Sequence, residues 1–399
     1  MPVFSNGPPQ YNPTKDIRFN WPTFKGGLNT LEQKNEIGQD QVTQAQNMML
    51  VGKGIPTKRW GTGLYYQAGN ATGSVRGLKS FYQVSGSATV VELLSVTDDG
   101  YLTKQNGASY TRLNGVSWAS GNQMYMAQLD NKMYFVNGQR ELVRYSLPTL
   151  VGFPTIAVPV ITGATNLSNA TGSDTKGYRV TAVSQVGETV GSGTFNLANQ
   201  PATLGGLAGG TLRLIFTGVS TASGILQGYN IYGRTPGYER FIGNVGPQDT
   251  FFDDTGSVVP TEFNFPPTSD TTGGPLGKFI TRYQDRLIIG NIAGYPTRLL
   301  ISGRAPNQEK FDISFGGNYL EIEPGAGDPI NQVIGFSDRV IVFKEKSIWQ
   351  FTIGIGQLGN FFYANPTLKL ITYSYGCIAP GSVVAVENDT YFLTRRGVF

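Results

Sequence analysis

The residues whose spacing could support chemistry are acidic residues that stand close together in the sequence. Glu321 and Glu323 stand two positions apart, so in a strand their carboxylates would share one face, as a glycoside hydrolase requires. We interpret them as structural, because nothing else in the sequence marks a cleft. Asp98-Asp99-Gly100 and Asp253-Asp254-Thr255-Gly256 offer oxygen ligands, but neither has the alternating ligands and distal Glu of an EF-hand loop. We interpret both as turns.

Histidine is missing from all 399 residues. Histidine is the usual general base near neutral pH and the commonest zinc ligand, so Ser-His-Asp triads, Cys-His pairs and His-based metal centres are excluded within this chain. The single Cys377 can form neither an internal disulfide nor a Cys-based metal site. The sequence therefore predicts a non-enzyme with no catalytic, cofactor-binding or metal-binding residues.

The charge pattern does not predict sequence-independent binding to nucleic acid. Lys and Arg number 31 against 27 Asp and Glu, and neither sign forms a long block. The first residues lack the apolar stretch of a signal peptide, and nowhere do eighteen apolar residues run together. We expect synthesis in the cytoplasm and no membrane-spanning segment.

The elements that would position these residues are short strands. Glycine accounts for 53 residues, and short runs of Val, Ile, Thr, Tyr and Phe with period two alternate with Gly, Asn and Asp. This pattern is typical of antiparallel strands joined by tight turns, and it predicts an all-β fold. The stretch 31–49 fits a loose helix and an extended arm equally well.

One hairpin plan recurs along the chain: a strand end, a short polar turn with Asp or Asn, then a strand of large apolar residues. It occurs at 129–136, 283–289, 336–343 and 386–393. The last three centres lie about 50 residues apart, the length of one four-stranded propeller blade. A further blade is expected from Val75 to Thr103. We therefore predict a β-propeller that is interrupted between the first two of these hairpins.

The interrupting segment, 154–267, has proline-rich flanks and its own strands. Its order of strands, with Tyr178-Arg179-Val180-Thr181-Ala182-Val183 and Tyr229-Asn230-Ile231-Tyr232, resembles a fibronectin type III-like module, in which these two strands would face each other across a sandwich core. Four regions follow: an N-terminal arm and docking segment (1–62), first blades (63–153), the insert (154–267) and further blades (268–399). Arg395-Arg396-Gly397-Val398-Phe399 stops in mid-hairpin. Either the sequence is cut from a longer protein, or the N-terminal segment supplies the missing strand and closes the ring; we favour the first and expect the propeller to be incomplete at residue 399.

The N-terminal segment has the most specific motif of the chain. Phe24-Lys25-Gly26-Gly27-Leu28 is followed by Ala45-Gln46-Asn47-Met48 and then by Gly54-Ile55-Pro56-Thr57-Lys58-Arg59-Trp60-Gly61. This order resembles the opening of the tail nozzle or tail tubular proteins of short-tailed bacteriophages. Trp60-Gly61 departs from that pattern, because relatives commonly have a proline there.

The resemblance implies a virion structural protein of the phage tail or head-to-tail connector, built as an interrupted propeller. Such proteins form a homo-oligomeric, six-fold ring through which genomic DNA passes without sequence-specific contact, next to portal or adaptor proteins and tail fibres. The residues that match the family's pattern, and that we take as the candidate assembly interface, are Gly26, Gly27, Asn47, Lys58 and Arg59. Two alternatives stay open: a tail-associated carbohydrate-binding or glycan-cleaving protein for receptor recognition, and a bacterial surface adhesin.

Overall fold

The computed structural model describes residues 27–28, 41–42, 48–51, 55–58, 74–85, 88–106, 109–119, 121–205, 210–220, 225–260, 264–336, 338–358, 361–386 and 389–399. The chain divides into two compact units, 1–67 and 68–399. In the first unit, β1 (Gly27–Leu28) pairs in parallel with β2 (Gln41–Val42), and β3 (Met48–Val51) pairs antiparallel with β4 (Ile55–Lys58). Most of the stretch 31–49 lies outside the described residues.

The second unit begins with two four-stranded antiparallel sheets in which each strand pairs with the next along the chain. Sheet 1 contains β5 (Val75–Ser85), β6 (Ala88–Thr97), β7 (Tyr101–Asn106) and β8 (Ser109–Ser117). Sheet 2 contains β9 (Tyr125–Leu129), β10 (Lys132–Val136), β11 (Val143–Ser146) and β12 (Thr149–Gly152). The meander order follows from the short polar turns between the strands.

A seven-stranded segment comes next. β13 (Ile161–Asn166), β16 (Leu212–Phe216) and β19 (Phe251–Asp254) form one sheet; β14 (Asp174–Ser184), β15 (Phe195–Gln200), β17 (Leu226–Arg234) and β18 (Arg240–Val245) form the other. Buried residues of both sheets, including Tyr178, Leu214 and Ile231, share one core. The strand containing Tyr178-Arg179-Val180 and the strand containing Tyr229-Asn230-Ile231 are hydrogen-bonded neighbours in the same sheet. The prediction that they face each other across the core was therefore wrong, because backbone pairing holds them side by side.

Two more four-stranded antiparallel meanders follow. Sheet 3 contains β20 (Gly277–Tyr283), β21 (Arg286–Ile292), β22 (Tyr295–Ile301) and β23 (Asn318–Glu321). Sheet 4 contains β24 (Ile330–Gly335), β25 (Val340–Lys344), β26 (Ile348–Leu358) and β27 (Phe361–Thr372). Beyond them, β28 (Val384–Val386) pairs with β29 (Asp389–Tyr391), and β30 (Leu393–Thr394) pairs with β31 (Gly397–Val398). Three single-turn 3-10 helices span Ile313–Phe315, Pro324–Ala326 and Pro380–Ser382.

The predicted hairpin plan is confirmed where the structure describes the turns. Asp130-Asn131 joins β9 to β10 and Gln284-Asp285 joins β20 to β21, with positive φ at Asp130 and Gln284, as two-residue turns favour. The following strands β10 and β21 are buried almost throughout, which explains their apolar sequences. The third and fourth turns include Ser337, Glu387 and Asn388, which lie outside the described residues.

A hydrophobic layer lies between each pair of consecutive sheets. One buried cluster joins sheets 1 and 2 and includes Phe81 and Phe135. A second joins sheets 2 and 3 through Tyr134 and Leu287, and a third joins sheets 3 and 4 through Ile288. The described part of the second unit is thus all-β, with stacked antiparallel sheets. No helix among the described residues is both long and apolar enough to cross a membrane.

Candidate functional site

Two of the five residues predicted as an assembly interface are described, and they lie in two different small sheets. Gly27 pairs with Gln41 in β1–β2, and Lys58 pairs with Met48 in β3–β4. Gly26, Asn47 and Arg59 lie outside the described residues. An assembly role for these five residues stays a prediction.

The carboxylate pair does not have the geometry that its spacing suggested. Glu321 ends β23, and it accepts hydrogen bonds from Arg298 at 2.5 Å and Thr297 at 3.1 Å. Glu323 stands beyond the strand, with φ +46°, and accepts a hydrogen bond from the Tyr373 hydroxyl. The expectation of a shared strand face was wrong, because the chain leaves the strand between the two residues.

The aspartate pairs differ from each other. Asp98-Asp99 forms a turn, as predicted. Asp253 and Asp254 instead lie in β19, so the prediction of a turn there was wrong; Asp253 pairs with Arg213 at 2.7 Å and Asp254 with Arg234 at 2.8 Å. Within the described ranges, no group of three or more His, Cys, Asp or Glu side chains is placed to hold a metal ion.

The first strands of the four meanders lie next to one another. β5 contacts β9, β9 contacts β20, and β20 contacts β24. Two of these approaches leave no room for a side chain: a Cβ on Gly77 would come within 2.8 Å of Met124 Cβ, and one on Gly335 within 2.1 Å of the Arg282 carbonyl oxygen. β9 and β20 are far apart in the sequence, because β13 to β19, which form the two-sheet sandwich, lie between them.

These four strands surround a cavity of about 470 Å³. All but one of the lining residues come from the first strands; the exception is Val383. The described lining residues include two cationic ones, Lys79 of β5 and Arg282 of β20, and no Asp or Glu. The lining residues are Lys79, Tyr125, Met126, Ala127, Gln128, Ile280, Thr281, Arg282, Gln332, Val333, Ile334 and Val383.

Both charged side chains among the described lining residues are positive. Lys79 donates one hydrogen bond, to the Met126 carbonyl at 2.9 Å. Burial lowers the pKa of Lys79 below its usual value, and the positive charge of Arg282 lowers it further. Burial also raises the pKa of Tyr125 to about 12, so this tyrosine stays neutral at physiological pH. Sequence reasoning missed Lys79 and Arg282, because only the packing of separate sheets brings them to one wall.

Buried carboxylates connect consecutive sheets. Glu309, from the loop after β22, accepts hydrogen bonds from Tyr134 at 2.8 Å, Lys132 at 3.0 Å and Arg144 at 2.8 Å, all in sheet 2. Glu92 of sheet 1 accepts one from Tyr145 of sheet 2 at 2.8 Å. Burial and the adjacent carboxylates raise the pKa of both tyrosines, which therefore act as neutral donors. These groups hold consecutive sheets together.

A second cavity, of about 600 Å³, lies beside the sandwich. Its wall includes Asn230, Tyr232, Asn244 and Phe265. The Tyr232 hydroxyl is already bonded to Glu188 at 2.7 Å. Two carboxylates, Glu188 and Asp312, also line this cavity, and both interact within the protein. Aromatic faces and amides suit a neutral polar ligand.

No protein-family model matches this chain, and no curated protein matches it. Among solved structures, the chain is similar to a protein from Thermus thermophilus described as an oxidoreductase (glucose dehydrogenase). The sequence identity is 12% and the TM-score 0.23, over 80% of this chain and 94% of the other. So weak a likeness informs neither the fold nor the activity of this chain.

Proposed function

We propose that this chain is a structural component of a bacteriophage tail, of the nozzle or tail tubular type, and that it acts as a non-enzymatic member of a homo-oligomeric ring in the virion. In this proposal sheets 1 to 4 are blades of an interrupted β-propeller, and the sandwich is a fibronectin-like insert. The role comes from the resemblance of the N-terminal motif; the arrangement of the sheets supports the architecture that this resemblance implies.

The observation that carries the proposal is the contact of β9 with β20. A chain of independent β domains would place the sheet after the sandwich away from the sheet before it. Instead, Gly138 N–H donates to the Gly277 carbonyl at 2.9 Å, and the Tyr125 ring packs on Phe279. Sheet 3 therefore lies next to sheet 2 in space, although the sandwich separates them in the sequence. This is the arrangement expected for a domain inserted into a propeller.

An apolar ribbon offers a surface for contact between copies. β26 and β27 extend past β25, whose pairing with β26 ends at Phe351. From Thr352 to Thr367 the sequence has no charged residue, and the side chains of Ile355, Leu358 and Phe362 are 65%, 59% and 63% exposed. Exposed apolar surfaces of this kind mark interaction sites, and a ring of identical chains joins each copy to the next through unlike surfaces.

Size exclusion with light scattering tests this proposal. We expect the wild-type protein to elute as a discrete multiple of the 43.1 kDa chain. Ile355→Asp with Phe362→Asp places charge on one face of the ribbon and should release folded monomers. The control is Val259→Asp at an 81% exposed site on the insert, which should assemble normally. A monomeric wild-type protein, or assembly untouched by the ribbon variant and lost in the control, would contradict the proposal.

A second candidate, glycan recognition, is favoured only by the cavity beside the sandwich, with its aromatic and amide wall. It would make the chain a receptor-binding part of the same tail. Binding of host oligosaccharides that is lost in Phe265→Ala, in a protein that forms no rings, would favour this candidate over the first.

A further inference from the structure

We propose that the cavity between the first strands is a binding site for a small oxyanion of the phosphate or polycarboxylate class, held by Lys79 and Arg282. The site is defined within one chain, so it does not depend on assembly into rings.

The two cationic residues of the cavity wall, Lys79 and Arg282, keep donors for a ligand. Lys79 uses one of its three N–H groups on the Met126 carbonyl, which orients the ammonium group. Among the described residues, Arg282 forms no side-chain hydrogen bond and no ion pair, so its guanidinium donors are open; the interaction found for it is repulsion of Lys79. A guanidinium with a nearby ammonium matches an oxyanion with several acceptor oxygens.

Three other polar side chains of the wall form hydrogen bonds within the protein. Gln128 pairs with both backbone groups of Tyr82, at 2.5 Å and 3.2 Å. Thr281 accepts a hydrogen bond from Gly335 N–H at 3.0 Å. Gln332 donates to the Pro380 carbonyl at 3.1 Å and accepts from Val333 N–H at 2.9 Å. A ligand would therefore meet two cations beside amide and threonine groups that already form hydrogen bonds within the protein.

The charge balance favours an anion. Within the part of the chain that the structure describes, no carboxylate lines the cavity and no acidic group offsets the effect of Arg282 on the pKa of Lys79. A concave site lined by one sign of charge concentrates ions of the opposite sign. The cavity volume, about 470 Å³, admits an anion larger than a single phosphate.

Isothermal titration calorimetry on the full chain tests this site, with inorganic phosphate and citrate as probes and glucose as an uncharged control. We expect Lys79→Gln and Arg282→Gln each to weaken anion binding by about tenfold or more, because each removes a charge-assisted contact. The matched control is Lys278→Gln, an exposed cation on the same strand as Arg282 that does not line the cavity. It should bind like the wild type. The stronger of the two probes identifies which oxyanion class the site prefers.

A thermal shift measurement covers the case in which a variant folds poorly. Citrate should raise the unfolding temperature of the wild type more than sodium chloride of equal ionic strength does, and this difference should vanish in the double variant. Anion affinity should also fall as pH rises toward 10, since Lys79 loses its proton below its usual pKa while Tyr125 stays neutral. Equal binding by wild type and double variant, or an equal loss in Lys278→Gln, would overturn the assignment.

Discussion

The Tyr125 ring packs edge to face against the Phe279 ring, with centroids 4.8 Å apart and an angle of 71° between the ring planes. Tyr125 begins β9 in sheet 2 and Phe279 lies in β20 of sheet 3, with the whole sandwich between them in the sequence. This contact joins sheet 2 to sheet 3 across the sandwich.

We expect Phe279→Ala to lower the free energy of unfolding by about 3–5 kcal/mol, because it removes a fully buried ring from the layer between sheets. Urea denaturation followed by circular dichroism would measure the change. Tyr238→Ala, at a 66% exposed aromatic on the sandwich, is the control and should change stability by less than about 0.5 kcal/mol. Equal effects of the two variants would show that the β9–β20 contact adds no stability.

Glu309 should make part of the stability dependent on pH. Burial alone would raise the pKa of its carboxyl, but Arg144 and then Lys132 outweigh burial and hold the pKa below 4.5. A carboxyl with a lowered pKa stabilises the fold above its unfolded value, and this contribution is lost as pH falls through the folded value. Denaturation curves of wild type and Glu309→Gln should therefore converge as the solution is acidified below about pH 4.

At neutral pH, Glu309→Gln should cost about 3 kcal/mol, because it leaves Arg144 and Lys132 without their buried counter-charge. The matched control is Glu345→Gln, whose partner Arg395 is largely exposed, and its cost should lie within about 0–1 kcal/mol. If the Glu309 variant kept the full neutral-pH stability of the wild type, the carboxylate would not hold sheets 2 and 3 together.

The insert should fold alone, because its two sheets share a core of their own. The segment 154–267 should show one cooperative thermal transition. A longer segment, 154–274, should melt at a higher temperature. In it the Thr271 hydroxyl accepts a hydrogen bond from Glu188 N–H, and the Thr272 hydroxyl accepts one from Ile156 N–H. A segment 154–267 with neither a cooperative transition nor dispersed amide resonances would contradict its independence.

The N-terminal motif should matter to assembly more than to the stability of the second unit. Gly27→Val adds a β-branched side chain to β1, and charge reversal of Lys58 and Arg59 to Glu removes donors for a neighbouring chain. We expect both variants to keep the thermal midpoint of the wild type and to lose the oligomer in light scattering. If both variants assembled normally, the motif would be an ordinary turn and not an assembly interface.

Local features were predictable from the sequence, and long-range contacts were not. The Asp130-Asn131 turn follows from local turn chemistry, and the buried strand after it follows from its apolar run. The side-by-side pairing of the Tyr178 strand with the Tyr229 strand depends on sheet topology, which periodicity does not encode. The cavity cations Lys79 and Arg282 come from sheets 1 and 3, so no local pattern links them.

Electron microscopy of the purified protein tests the central claim most directly. The account predicts closed rings of one defined order, with a central opening and with density for the insert on every subunit. A field of monomers, or irregular aggregates without rotational symmetry, under conditions in which the protein is folded, would contradict a ring-forming tail protein.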